Sequence, residues 1–121
     1  MTLEAYPDKQ NNCLVYVLKG VLNKQMLKPI LSQMVTCCRQ KNLKRILIDM
    51  KAATNSISPF DLCTLAYHDL SKLNISYSVS IVLLISSEDS SHNFLETVLR
   101  NASYKVKLFH DREAALDWLL S

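Results

Sequence analysis

The sequence predicts an α/β fold: a single layer of mostly parallel β-sheet, four or five strands wide, with four helices. Three observations predict it. Segments with apolar residues at helical spacing alternate with short apolar runs, and parallel strands need such crossover segments between them. Two of the runs, Ile46-Leu-Ile48 and Ile81-Val-Leu-Leu-Ile85, are continuously apolar, as adjacent inner strands covered on both faces must be. The chain of 121 residues is 49% hydrophobic and 21% charged. That suits one domain over residues 1–121, with a core that needs neither disulfide nor metal.

The elements follow in order. Residues up to Tyr6 suit a short edge strand, and Pro7-Asp-Lys-Gln-Asn-Asn12 a turn. Cys13-Leu-Val-Tyr-Val-Leu18 is rich in β-branched and aromatic residues and predicts a strand ended by Gly20. Asn23 can cap a helix carrying Met26, Leu27, Ile30, Leu31, Met34, Val35 and Cys38 at helical spacing. Pro29 predicts an irregular first turn, with the regular helix starting near Lys28. Arg45-Ile-Leu-Ile-Asp-Met50 reads as a buried strand, and residues 53–57 as a polar loop. Ser58-Pro-Phe-Asp61 combines an N-cap, a proline suited to the first turn and an acid among unpaired amides. Leu62, Cys63, Ala66, Tyr67, Leu70 and Leu73 would form the apolar face of that helix. Tyr77–Ile85 predicts a strand and residues 86–91 a loop that caps a helix. Phe94, Leu95, Val98, Leu99 and Ala102 are that helix's expected buried stripe. Val106–Phe109 predicts a further strand, and Asp111 caps a last helix bearing Trp118 and Leu119.

Composition excludes several function classes. A single glycine, Gly20, leaves no glycine-rich phosphate loop, and a net charge of +3 is too mild for a nucleic-acid binder. Arg39, Lys41, Lys44 and Arg45 read as complements to a helix C-terminus. Cys13, Cys37, Cys38 and Cys63 have no zinc spacing and read as reduced thiols of a cytoplasmic protein. No metal and no cofactor is expected. The opening residues lack a signal-peptide pattern, and no apolar run reaches membrane-spanning length.

In open α/β sheets, ligands bind beyond the carboxyl ends of strands. Asp49 stands where a strand end is expected, as the phosphoacceptor of receiver domains does. Lys19-Gly20 supplies no acidic pair for magnesium, so Asp49 reads as an acceptor of backbone hydrogen bonds in the following loop. His68, His92 and His110 fall in three separate elements, and no catalytic constellation follows from spacing. The expectation is a protein that is not an enzyme.

Leu14-Val-Tyr-Val-Leu-Lys-Gly-Val-Leu22, a helix, Ile46-Leu-Ile-Asp49 and then a serine-bearing helix start together resemble the STAS family of anti-sigma-factor antagonist domains. Phe109–Leu119 resembles the closing helix of a bacterial STAS-like subgroup sometimes grouped with CRAL-TRIO lipid-binding folds. The resemblance covers roughly residues 13–119. It places Ser58 at the hydroxyl residue whose phosphorylation switches partner binding in the family. Ser56 stands for the family's acid, Ile57 for a hydroxyl residue and Pro59 for a glycine. The resemblance implies a regulatory or scaffolding module that binds a protein partner through Asn55, Ser56, Ile57, Ser58, Pro59 and Asp61. The alternative is a carrier of a lipid or other small apolar ligand. An exposed helix face leaves room for a homodimer.

Overall fold

Five strands form one sheet in the order β1-β2-β3-β4-β5 in the computed structural model of the chain, which describes residues 2–69 and 79–121. β1 (Thr2–Asp8) pairs antiparallel with β2 (Cys13–Leu22). Asp8 closes the turn between them by accepting hydrogen bonds from the Asn11 backbone and side-chain amides, at 3.2 and 2.8 Å. Then come α1 (Lys24–Lys41), β3 (Arg45–Asn55) and α2 (Pro59–Thr64), which runs on as one π-helical turn over Leu65–Asp69. β4 (Ser80–Leu84), α3 (Asn93–Asn101), β5 (Lys105–Phe109) and α4 (Arg112–Leu120) complete the described order. β2 through β5 pair in parallel, and the apolar runs are neighbours: Ile46 lies beside Ile81 and Ile48 beside Leu83.

Alternation along the strands divides the core. Leu14, Tyr16, Leu18, Ile46, Ile48, Met50 and Leu83 face the layer of α1, α2 and α3. Cys13, Val15, Leu47 and Val82 face the opposite side, where Ala115 and Leu119 of α4 cover them. Phe109 and Trp118 pack at the rim of this smaller cluster, their ring centroids 6.0 Å apart. Arg45 donates from Nε to the Leu119 carbonyl at 3.2 Å, so one cation of the basic group satisfies the C-terminus of α4. At the free edge of β5, the Leu108 N–H donates to the Glu96 carboxylate of α3.

Several expectations change. β2 runs past Gly20 to Leu22, with a register shift between Val17 and Lys19. Gly20 adopts φ 111°, a backbone angle that only glycine takes at little cost. α1 is regular from Lys24, with Asn23 accepting the Met26 N–H at 3.0 Å. Pro29 lies inside it, and both Pro29 and Gln25 are exposed, so water can serve the carbonyl that proline leaves unpaired. Tyr67 and Phe94 were expected on buried stripes but are 56% and 42% exposed. The N-cap of α3 is His92, which makes no side-chain capping bond; the acids of the preceding loop do not cap this helix. Leu70, Leu73 and Tyr77 lie outside the described residues.

The largest change is in β3. Asp49 is not a strand-end acid: β3 continues six residues beyond it to Asn55. Asp49 pairs with Leu84, the last residue of β4. From there on, among the described residues, β3 pairs only with Lys19–Leu22 of β2. The extension looks like a loop in sequence because β4 stops at Leu84 and leaves it paired with β2 among the described strands, with Lys51, Ala52 and Thr54 exposed.

Candidate functional site

No described strand pairs with the outer edge of the β3 extension, so that bare edge must satisfy its backbone groups in other ways. Three side chains do so in alternate positions. Asp49 accepts the Lys51 N–H at 3.1 Å. His92 donates from Nε2 to the Ala53 carbonyl at 2.9 Å. Ser91 accepts the Asn55 N–H on Oγ at 3.1 Å. Since a carbonyl only accepts, the proton of neutral His92 sits on Nε2. The ring is 0% exposed, Asp89 Oδ2 lies 3.4 Å from the same nitrogen, and Nδ1 has no hydrogen-bond partner among the described residues. Asp89 also accepts the Ser91 N–H at 2.8 Å, and hydrogen bonds from the Ser91 side chain and backbone hold its carboxyl below the usual carboxylate range.

The turn after β3 is built on this edge. Asn55 donates from Nδ2 to the Ser91 carbonyl at 3.3 Å, while its Oδ1 accepts the Ile57 N–H at 2.9 Å. The Ser56 N–H and hydroxyl both donate to the Leu22 carbonyl, at 3.0 and 2.9 Å. The Ser58 Oγ then accepts the Asp61 N–H at 3.1 Å as the N-cap of α2, and Pro59 occupies the first helical turn. Asp61 pairs with Lys24 of α1 at 3.3 Å. The seven residues from Asn55 to Asp61 are thus tied to β2, to α1 and to the β4–α3 loop. Ile57 is half-buried against the core, whereas Ser56, Ser58, Pro59 and Phe60 are exposed.

Phe60 is 79% exposed. Tyr67 follows two turns later and is also largely exposed. In the sequence Phe60 sits within a helix-start signature that gives no sign of its exposure, and nothing local to His92 shows that its ring is buried.

On the helix-covered face, a cavity of about 60 Å³ lies between sheet and helices, lined among the described residues by apolar side chains that include Met34, Met50, Leu65 and Leu95. Among the described residues no three His, Cys, Asp or Glu side chains group as a metal site, and no helix is long and apolar enough to cross a membrane. The four cysteines are free thiols. Burial raises the Cys38 thiol to about 11, with the nearby Cys37 adding to the shift.

No protein-family profile matches the sequence, and no curated protein matches it. Solved structures do match. An anti-sigma factor antagonist from Mycobacterium paratuberculosis superposes with a TM-score of 0.62 at 13% identity, over 99% of this chain and 96% of that one. The Bacillus cell fate determinant SpoIIAA in its phosphorylated form gives a TM-score of 0.53 at 12% identity, over 97% of this chain and 98% of that one. An uncharacterized protein with a SpoIIAA-like fold from Shewanella loihica gives 0.53 at 19% identity, over 98% and 92% of the two chains. The sheet order, the helix layers and these superpositions give the chain the STAS-like fold of the anti-sigma factor antagonists.

Proposed function

We propose that this protein is a non-catalytic regulatory or scaffolding module that docks a protein partner on the Asn55–Asp61 turn and the start of α2. The observation that carries the reading is Phe60: a phenylalanine 79% exposed on a segment whose backbone is fixed from three sides. A few residues carry most of the energy of a protein interface, aromatic residues are enriched there, and a preorganised backbone lowers the entropy lost on binding. The fold shared with anti-sigma factor antagonists supports a binding role. Ser58 is the candidate for modification in this reading. Its hydroxyl is exposed, and its capping bond to Asp61 would be rearranged by an added phosphate.

Catalysis finds no support at the same place. Asp89 and His92 lie together, but the imidazole is fully buried and its donor is spent on Ala53. The carrier alternative is less well supported than docking. A cavity of about 60 Å³ is several-fold smaller than the roughly 300–1,000 Å³ of small-molecule sites. Free thiols favour a cytoplasmic setting.

The test is affinity capture from the native cell with wild type, Phe60→Ser and Leu120→Ser, the last an exposed apolar residue at the end of α4. The reading expects one protein retained by wild type and Leu120→Ser and lost with Phe60→Ser at unchanged melting temperature. Equal retention by all three overturns it.

A further inference from the structure

The β4–α3 loop has the connections of a latch on the docking turn. We propose that Ser91 and His92 are positioning residues that hold the Asn55–Asp61 turn in a single conformation through the bare edge of β3. The functional meaning of this inference rests on the docking reading above; the coupling itself does not.

Asn55 is the junction. Its backbone N–H and its Nδ2 are both held by Ser91, at 3.1 and 3.3 Å, across 36 residues of sequence. With Nδ2 pinned on the Ser91 carbonyl, the planar amide aims Oδ1 at the Ile57 N–H, 2.9 Å away. One side-chain amide therefore transmits the position of the β4–α3 loop into the turn. His92 fixes the other end of that loop by donating to Ala53, two residues before Asn55. Asp89 closes the loop internally through the Ser91 N–H. Among the described residues no strand pairs with this part of β3 on the β4 side, so these side chains replace a ladder there. Freed of them, the extension would hold to β2 alone, as one strand of a two-stranded ribbon, which is marginal in water. The Ser56 and Ile57 amides, neither of which touches the loop, would then open more often.

The test is residue-resolved amide exchange of the isolated protein, which needs no partner. Ser91→Ala removes the acceptor of the Asn55 N–H, His92→Phe fills the site without a donor, and His92→Gln returns a donor near Nε2. The latch expects the Ser56, Ile57 and Asp61 amides to exchange about tenfold faster in Ser91→Ala and His92→Phe. It expects His92→Gln to recover most of that protection, with Leu47 and Val82 in the core unchanged. Faster exchange at Asn55 alone, or an equal rise at Leu47 and Val82, would overturn it. Ser91 is half-buried and belongs to neither core cluster, so the test stands even if His92→Phe does not fold. If the turn loosens in Ser91→Ala but partner capture stays as in wild type, the docking reading fails while the latch survives.

Discussion

Replacing Ser58 tests what that residue does before any partner is known. Ser58→Ala removes the acceptor of the Asp61 N–H, a bond of 3.1 Å at an exposed helix start. Losing an N-cap costs about 0.5–2 kcal/mol, and exposure places this one near the low end because water can reach the freed amide. An unfolding entropy of roughly 2.1 cal/mol/K per residue makes each kcal/mol worth about 4 °C here, so Ser58→Ala should melt about 2–4 °C below wild type. Ser58→Asp keeps an acceptor at the cap. Its charge meets the favourable end of the helix dipole but also faces Asp61, which the Lys24 pair partly neutralises. The two effects oppose each other at a few tenths of a kcal/mol each, so Ser58→Asp should melt within about 2 °C of wild type and above Ser58→Ala. Thermal unfolding followed by circular dichroism reads all three proteins. Equal melting temperatures, or Ser58→Asp below Ser58→Ala, would refute the assignment of Ser58 as the cap of α2.

Further outcomes follow from the packing and the charges. Trp118→Ala should cost about 2–3 kcal/mol in urea unfolding, less than a fully buried tryptophan because Trp118 is half-buried against Phe109; a loss below about 1 kcal/mol would show that α4 does not seal the sheet through this ring. Amide exchange should be slowest in Ile46–Ile48 and Ile81–Leu84, the paired inner strands, and rapid exchange there would contradict the topology. Asp8 and Asp89 have lowered pKa values in the fold, chiefly through hydrogen bonds from Asn11 and Ser91. Their contribution to stability is therefore complete above the unfolded value near 4 and is lost as pH falls below it through the lower folded value. Asp89→Asn should flatten the decline in melting temperature as pH falls below about 4, and an unchanged slope would sink that linkage.

Much of the fold is legible in the sequence because its main signals are local. The run Ile46-Leu-Ile48, the spacing of Leu27, Ile30 and Met34, and the caps at Asn23, Ser58 and Asp111 each follow from residues within a few positions of one another. The cap at Ser58 is of this kind: serine, proline and acid lie in one turn. What stays hidden is long-range. The second half of β3 has polar residues because its neighbour strand stops at Leu84, a fact about another segment. His92 is buried because Ala53 offers an unpaired carbonyl 39 residues away. Phe94 looks like a stripe residue but stands at the first turn of α3, beyond the cover of the layer beneath it. Each miss has the same cause: a residue's environment was set by where a different element ends.

The central claim is that the Asn55–Asp61 turn, led by Phe60, is the surface that meets a protein partner. The most direct measurement is an amide chemical-shift map of the labelled protein titrated with the protein that wild type captures. The account predicts shifts concentrated at residues 55–61 and at the Ser91 amide coupled to them, with Phe60→Ser abolishing the titration while its own spectrum stays folded. Shifts concentrated on α4 and β5, with the turn silent and Phe60→Ser still binding, would contradict it.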